Sequence, residues 1–549
     1  MAVGFFVCGV VMVGADRFLH DEGLLSWFFA EIMANKPIDS LFFLKSRPPL
    51  ALFYAPVAKL GLDAFLWLHV LLAALCIPLA AAIARSLGQR APNLVGAAFA
   101  VSPMMLATGA SGVGNSDVVV GSLLVLYLLT TRRSPAAAGL MAGVLPFIRA
   151  EISIFVLGMA GVAIVEWLRS RGSSGLGDSG DSPGKHKVFA QPMRFLAMLP
   201  VFGLVLAVAG MVYHQEVLWF LHYPPTLIVP GEATAPHGKI GYADASPAQT
   251  LAALLSIAPL VGLLALIPWR RMVPVERLCL VTGLVFVVAI RGLPLVGLFH
   301  FDDSPRYALP MILMMIPLGR LANVWQANRD SGRWATVVMG ALLVAGIGLQ
   351  QSEAAPLLLL AVAGWSTVWA VGRLSRPRLA LGLAAVLGLI AATSPHLIAA
   401  TRLESEKHAR FHEGFADWAG QNSDCVRDCR IITNVYLLAI WGQRDGLFTE
   451  DVAIEQLITR DVEEELGKLA NHENGQYDTL LGQLRTHYFG RPLLAEELQP
   501  GRLTGEVVFV LQRDRRLAQV MPPEVWDPLL TTLVERDGLW IAAFAPPAP

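Results

Sequence analysis

The feature that most constrains this chain is its succession of long apolar runs. Leu62 to Ala84 is an extended hydrophobic stretch, and comparable runs recur from Asn93 to Ala400. A helix needs about 20 predominantly apolar residues to cross a bilayer. Hydrophobic residues make up 55% of the chain and charged residues only 15%, which excludes an ordinary soluble domain. We therefore predict a mostly α fold, a polytopic membrane helix bundle of about 13 segments.

The charges divide the chain into two parts. Residues 402–549 carry 24 Asp and Glu against 15 Lys and Arg, whereas residues 1–401 carry 19 and 27. We predict a transmembrane domain over 1–401 and a soluble α/β domain over 402–549. The soluble domain is expected from one helix-like stretch and three strand-like runs. The helix-like stretch is Val452 to Leu469, and the strand-like runs are Arg430 to Trp441, Val507 to Gln512 and Leu539 to Phe544.

The distribution of Lys and Arg predicts the orientation in the membrane. A cytoplasmic N terminus assigns 18 of these residues to cytoplasmic turns and nine to outer loops, as the positive-inside rule requires. Met1 to Gly14 is interpreted as the first transmembrane helix, because it has neither a basic start nor a clear signal-peptide cleavage site. The prediction is a multi-pass protein of the cytoplasmic (inner) membrane whose C-terminal domain is extracytoplasmic.

The first outer loop, Ala15 to Leu60, is the main candidate for a functional site. Ionisable groups at a bilayer boundary are costly unless they are hydrated, paired or used. This loop places several of them there, namely Asp16, Asp21, Glu22, Lys45 and Arg47. Further polar residues occur in outer segments 111–117, 149–151, 213–244 and 300–306. If these segments converge, they form one polar site at the outer face.

Five motifs follow one another within these segments. They are His20-Asp21-Glu22-Gly23, Phe43-Leu44-Lys45-Ser46-Arg47-Pro48-Pro49-Leu50, Gly114-Asn115-Ser116-Asp117, Pro146-Phe147-Ile148-Arg149-Ala150-Glu151 and Pro305-Arg306-Tyr307-Ala308-Leu309-Pro310. Their order resembles that of the GT-C superfamily of membrane glycosyltransferases, and it is similar to that of protein O-mannosyltransferases and lipid A aminoarabinose transferases. The resemblance covers about residues 1 to 400, and an outer C-terminal domain also fits it.

The resemblance implies transfer of a sugar from a polyprenyl-phosphate carrier to an acceptor hydroxyl, with inversion. Asp21 is then expected to take the proton of the acceptor, with Glu22 orienting the acceptor and Asp117 as a second acidic residue of the site. The alternative for Asp21 and Glu22 is that they stabilise the N terminus of an amphipathic helix from Gly23 to Ala34. For Asp117 the alternative is helix capping.

The leaving phosphate calls for cations at the membrane boundary. The candidates are Lys45, Arg47, Arg149 and Arg306. Contact with lipid headgroups is the alternative for Lys45. For Arg306 the alternative is a local ion pair with the preceding acidic residues.

Three further residues are secondary candidates for the site. These are Glu151, which could equally form a structural ion pair with Arg149, His300 and Asp302. The outer histidines lack the spacing of a metal motif such as H-E-x-x-H. No metal site and no essential cofactor are predicted, although a divalent cation remains an alternative. The expected partners are the polyprenyl-phosphate sugar, a lipid, glycan or protein acceptor, and the bilayer, without nucleic acid.

Two other classes of function remain open at this point. An O-antigen ligase or polysaccharide polymerase would place its catalytic residues in a large later loop, for which Tyr213 to Ser246 is the candidate. A transporter or non-catalytic scaffold would show matched halves and ionisable residues at the midplane, which the sequence lacks. Cys425 and Cys429 could form a disulfide if their domain is extracytoplasmic.

Overall fold

The computed structural model divides the chain into two compact units. One unit comprises Met1–Phe18 and Leu25–Leu403, and the other Leu19–Leu24 and Glu404–Pro549. The described residues are 1–14, 21–35, 37, 41, 47–172, 191–213, 215, 217, 257–258, 260–261, 264, 267–295, 305–321, 414–435, 438, 454–458, 491–494, 498–503, 505–512, 521–536 and 539–545. In the second unit, the strand predicted from Leu539 to Phe544 is present with the predicted bounds.

The described part of residues 1–403 is helical. Its helices are α1 Ala2–Gly14, α2 Asp21–Asn35, α3 Pro48–Ala58, α4 Leu62–Ser86, α5 Pro92–Ala100, α6 Pro103–Ala110, α7 Asn115–Thr130, α8 Pro135–Ile148, α9 Ser153–Gly172, α10 Pro192–Met198, α11 Val201–Tyr213 and α12 Pro274–Leu295. Shorter 3₁₀ segments cover Ala150–Ile152 and Trp269–Arg271, and a longer one covers Pro305–Arg320.

Three helices in the described residues are long and apolar enough to cross a membrane. They are Leu62–Ser86, Ala150–Leu168 and Pro192–Val212, and the bent pair α5 and α6 adds a fourth if it is one span. Their lengths satisfy the requirement of about 20 residues. The described part of the chain therefore fits an integral membrane protein, while the expected total of about 13 segments remains a prediction.

The apolar run that begins at Asn93 does not form one straight helix. Within it, α5 and α6 meet at a 56° bend. Pro103 has no N–H to continue the helix of α5 and instead starts α6. The Ser102 hydroxyl caps α6 by accepting a hydrogen bond from the Met105 amide at 3.2 Å. The Pro103 ring and this cap explain why the hydrophobic run does not continue as one straight helix.

Two glycines let α8 pack directly on the backbone of its neighbour. A Cβ at Gly139 would lie 2.3 Å from the Phe195 carbonyl oxygen, and one at Gly143 would lie 2.0 Å from the Leu199 oxygen. Small residues four positions apart allow such close helix contacts in membranes. The pair fixes how α8 approaches α10, and α8 leads directly into Arg149.

A buried polar cluster joins three segments at the ends of α4, α12 and the long 3₁₀ helix. Glu276 is wholly buried and accepts hydrogen bonds from Gln89 Nε2 at 2.6 Å and from Arg320 Nε at 2.9 Å. Arg320 Nη2 also donates to the Leu87 carbonyl at 2.9 Å. The Glu276 carboxylate therefore ties residues that are far apart in the sequence.

We expect Glu276→Ala to lower the thermal stability of the detergent-solubilised protein. Removing one partner of a buried ion pair leaves the other charge uncompensated, at a cost of about 3–5 kcal/mol. Asp63→Ala is the matched control, because Asp63 is an exposed acid in the first turn of α4. Thermal unfolding of both variants checks this prediction. Equal midpoints for the two variants would show that the cluster does not stabilise the fold.

The described part of the C-terminal unit contains a mixed β-sheet. Its strands are β1 Arg430–Thr433, β2 Ile454–Ile458, β3 Arg491–Leu494, β4 Val507–Gln512, β5 Leu530–Arg536 and β6 Leu539–Phe544, with short helices Ser423–Asp428 and Pro523–Trp526. The six strands lie in the order β3-β2-β1-β4-β6-β5. Strands β1 to β4 run parallel, while β6 is antiparallel to β4 and β5. Buried aromatic residues of this unit, including Phe509, Trp526 and Trp540, belong to its hydrophobic core.

Two of the predicted elements in this unit are wrong. Ile454–Ile458 is a parallel strand, not part of a helix from Val452 to Leu469, because it pairs with both β1 and β3. The strand expected from Arg430 to Trp441 ends at Thr433. There the Thr433 hydroxyl accepts a hydrogen bond from the Val435 amide at 3.0 Å and turns the chain.

The two cysteines of this unit are free thiols that lie close together. The Cys429 amide donates to the Cys425 carbonyl at 2.7 Å, and the Cys429 thiol contacts Glu506 Oε2 at 3.7 Å. Burial, then the Cys425 thiol and the Glu506 carboxylate, raise the pKa of the Cys429 thiol to about 12. As a reduced residue, Cys429 is therefore a protonated and weakly nucleophilic thiol at neutral pH.

Candidate active site

The candidate site is centred on Asp117, in the first turn of α7. Its side chain is nearly buried, with 7% of the residue exposed. The Tyr54 hydroxyl donates a hydrogen bond to Asp117 Oδ1 at 2.6 Å, and His69 Nδ1 lies 3.4 Å from Oδ2. Helices α3, α4 and α7 thus each contribute one polar side chain to the same point. Sequence reasoning missed Tyr54 and His69, although a lone histidine inside a long apolar helix is a signal of function.

Arg47 approaches this carboxylate from the start of α3. It precedes Pro48 with a φ of 53°, a left-handed conformation that is unusual for a residue with a Cβ. A Cβ added at Gly114 would lie only 3.0 Å from Arg47 Nη1, so the guanidinium rests against the turn before α7. The charge of Arg47 interacts electrostatically with Asp117. Strained backbone conformations of this kind occur preferentially at functional sites.

Arg149 enters from the turn between α8 and α9. It forms a buried ion pair with Glu151 through Nε, and its charge also interacts with Asp117. The Arg149 Cζ atom lies 4.8 Å from the centre of the Tyr307 ring, within cation–π distance. The sequence left two roles open for Glu151, a contact in the site and a structural ion pair with Arg149. The ion pair is present. It also holds Arg149 beside the central carboxylate.

Arg306 reaches the site from the start of the long 3₁₀ helix. Its Cζ atom lies 5.3 Å from the Tyr307 ring, so one aromatic ring contacts the guanidinium groups of both Arg149 and Arg306. The Asn115 side chain donates a hydrogen bond from Nδ2 to the Arg306 carbonyl at 3.0 Å. This contact ties the 3₁₀ helix to the start of α7.

The structure brings together residues from four of the segments predicted to converge, namely 15–60, 111–117, 149–151 and 300–306. Five of the predicted site residues lie in this cluster, namely Arg47, Asp117, Arg149, Glu151 and Arg306. Asp21 and Glu22 occupy the first turn of α2, but their side chains are outside the described part of the chain. Lys45, His300, Asp302 and the loop from Tyr213 to Ser246, apart from residues 213, 215 and 217, also lie outside it.

The charges of this cluster favour an anion. The cluster contains three buried or partly buried arginines, Arg47, Arg149 and Arg306, and two carboxylates, those of Asp117 and Glu151. Arginine presents a planar fork of donors that matches phosphate oxygens. Within the described residues, no group of three or more His, Cys, Asp or Glu side chains could hold a metal ion. The described cluster can bind a phosphate group directly through its arginines.

Comparison of sequences gives no match, either to a protein-family profile or to a curated protein. Comparison of structures finds ArnT from Cupriavidus metallidurans bound to undecaprenyl phosphate, with a TM-score of 0.56 and 14% sequence identity. The match covers 98% of this chain and 97% of ArnT. The apo state of the same ArnT matches over the same shares, with a TM-score of 0.57. The fold of this chain is therefore that of ArnT, as expected from its resemblance to lipid A aminoarabinose transferases of the GT-C type.

Proposed function

We propose that this protein transfers a sugar from a polyprenyl-phosphate donor to the hydroxyl of a lipid, glycan or protein acceptor at the outer face of the cytoplasmic membrane. The observation that carries the proposal is a cluster of three arginines beside a nearly buried carboxylate. The charges of Arg47 and Arg149 interact with Asp117, and Arg306 shares the Tyr307 ring with Arg149. This cluster occurs in a fold shared with an ArnT that was crystallised with undecaprenyl phosphate. A long isoprenoid can lie between membrane helices while its phosphate reaches the arginines.

The arginines are proposed to bind the donor phosphate. Its negative charge increases as the bond between the anomeric carbon and the phosphate oxygen breaks, and the electron pair of that bond stays on the phosphate. Preorganised cations at the position of developing charge stabilise the transition state most effectively. Arg47, Arg149 and Arg306 are already held by neighbouring groups, and Lys45 is proposed to join them.

Asp21 is proposed as the general base, with Glu22 orienting the acceptor. The acceptor oxygen attacks the anomeric carbon from the side opposite the phosphate, and its proton passes to the Asp21 carboxylate. A single displacement of this kind inverts the configuration of the sugar. Asp117 is the second acidic residue of the site, and its charge aligns Arg47 and Arg149. His300 and Asp302 are proposed as secondary contacts, as is Glu151 through its pairing with Arg149.

No essential cofactor is proposed, because the arginines can neutralise the leaving phosphate without one. The orientation proposed from the Lys and Arg distribution places the C-terminal domain on the extracytoplasmic side. The acceptor can then approach from that side, while the donor stays in the bilayer.

The test of the function is transfer of labelled sugar by the purified protein from a panel of polyprenyl-phosphate donors. We expect Arg306→Ala to raise the KM for the donor about 10-fold to 100-fold, since a hydrogen bond to a charged group is worth about 1.5–3 kcal/mol. The backbone contact between Asn115 and the Arg306 carbonyl is retained in this variant. Arg271→Ala is the control, because Arg271 is exposed and belongs to a separate 3₁₀ turn.

Two outcomes would count against the proposal in different ways. A wild-type protein that transfers sugar from none of the donors would overturn the proposed function. An Arg306→Ala variant with the donor KM of the wild type would leave the function standing but remove Arg306 from the phosphate site.

A further inference from the structure

Two residues that the proposed chemistry does not use contact the central carboxylate. Tyr54 lies on α3 and His69 on α4, and both side chains are shielded from solvent, with exposures of 1% and 0%. Their partner Asp117 is slightly more exposed, at 7%. The three groups form a small polar cluster inside an otherwise apolar helix interface.

Both oxygens of the carboxylate have a polar neighbour. The Tyr54 hydroxyl donates a hydrogen bond to Oδ1 at 2.6 Å, while His69 Nδ1 lies 3.4 Å from Oδ2 without the geometry of a hydrogen bond. The Tyr54 hydrogen bond and the adjacent His69 ring restrict rotation of the carboxylate about its bond to Cβ. Tyr54 and His69 therefore set the orientation of Asp117.

The two positioning groups are themselves held in place by aromatic packing. The rings of Tyr54 and His69 stack with centroids 4.1 Å apart and an angle of 11°. Phe65 packs against both, at 4.6 Å from the His69 ring and 4.9 Å from the Tyr54 ring. Stacked rings leave little rotamer freedom, so the hydroxyl and the imidazole nitrogen are preorganised toward Asp117.

A purely structural role does not explain this choice of residues. Apolar side chains of similar size would fill the same space between α3, α4 and α7 without the cost of burying polar groups. Here the polar groups converge on the one carboxylate that interacts with Arg47 and Arg149. Polar partners that orient a functional group are expected at such a position.

We propose that Tyr54 and His69 are positioning residues that fix the Asp117 carboxylate for the transfer reaction. This proposal rests on the proposed function, in which the charge of Asp117 aligns the arginines that bind the donor phosphate. Tyr54 and His69 touch neither the sugar nor the phosphate. They act through Asp117 alone, so their loss affects turnover while donor binding by the arginines continues.

The test compares Tyr54→Phe, His69→Leu and His69→Asn with the wild type in steady-state transfer. We expect Tyr54→Phe and His69→Leu to lower kcat about 10-fold to 100-fold, the usual effect of losing a polar partner of a functional group, with the donor KM within about 3-fold. We expect His69→Asn to recover most of the loss, because its amide nitrogen can take the place of Nδ1. Val70→Ala is the control, because it removes buried volume from α4 at its contact with Gly9 of α1 without removing a polar group.

The outcomes separate this inference from the function on which it rests. Wild-type kcat in both Tyr54→Phe and His69→Leu, in a protein whose Asp117→Asn variant is inactive, would overturn the positioning role alone. An equal loss in Val70→Ala, or a failure of His69→Asn to recover activity, would also overturn it, since packing would then be the cause. A wild-type protein without transferase activity would overturn the function and this inference together.

Discussion

Asp117→Asn is expected to reduce kcat for sugar transfer by about 10²-fold to 10³-fold while the donor binds as well as before or more tightly. The substitution keeps the shape of the side chain and a carbonyl oxygen for the Tyr54 hydroxyl. It removes the negative charge that interacts with Arg47 and Arg149. Small displacements of groups that stabilise a transition state lower kcat by about this factor. Donor binding is retained, because a more positively charged site still attracts a phosphate.

The changes in kcat and in donor affinity together distinguish the role of Asp117 from that of the arginines. Arg306→Ala is expected to weaken donor binding, and Asp117→Asn is expected to spare it. Asp63→Asn is the matched control, since Asp63 is an exposed acid in the first turn of α4 and changes charge by the same amount. Steady-state kinetics and direct measurement of donor binding check the prediction. A fall in donor affinity with unchanged kcat would contradict the role of Asp117 as the residue that aligns the arginines.

Much of the helical fold follows from hydrophobicity alone. The run from Leu62 to Ala84 appears as α4, Leu62–Ser86, because its length and composition match the bilayer. The bend between α5 and α6 depends on one proline and one serine cap, which a hydropathy window averages away. In the C-terminal unit, Ile454–Ile458 is short, and its partners β1 and β3 are distant in sequence, so pairing overrides a local helical pattern.

Only the charged residues of the candidate site could be predicted from the sequence. Its charged members stand out because a charge beside an apolar run is rare. The structure brings Arg47 and Arg149 to Asp117, and Arg306 to the Tyr307 ring that Arg149 also contacts. Tyr54 gives no such contrast, because it is an uncharged aromatic residue in an apolar helix. His69 does give one, as an ionisable residue inside the long apolar helix α4, but no charge stands beside it in the sequence to indicate a partner. Their relation to Asp117 depends on how α3, α4 and α7 pack, which no local pattern specifies.

Asp21→Asn is expected to abolish turnover, with a loss of about 10²-fold to 10⁴-fold in kcat, the usual contribution of a general base. An amide cannot accept the proton of the acceptor hydroxyl, yet it keeps the polarity of the first turn of α2, Asp21–Asn35. Donor binding should persist, because the phosphate is held by the arginines.

Glu31→Gln is the matched control for this variant, because it makes the same acid-to-amide change later in α2, whose Trp27 is anchored by a hydrogen bond to the Ala58 carbonyl at 3.2 Å. Transfer of labelled sugar and donor binding are measured for both variants. An inactive Asp21→Asn that still binds donor, beside an active Glu31→Gln, supports proton transfer by Asp21. If Asp21→Asn turns over like the wild type, the first outer loop is structural. The search for a base would then move to the loop from Tyr213 to Ser246, where a ligase would be expected to carry it.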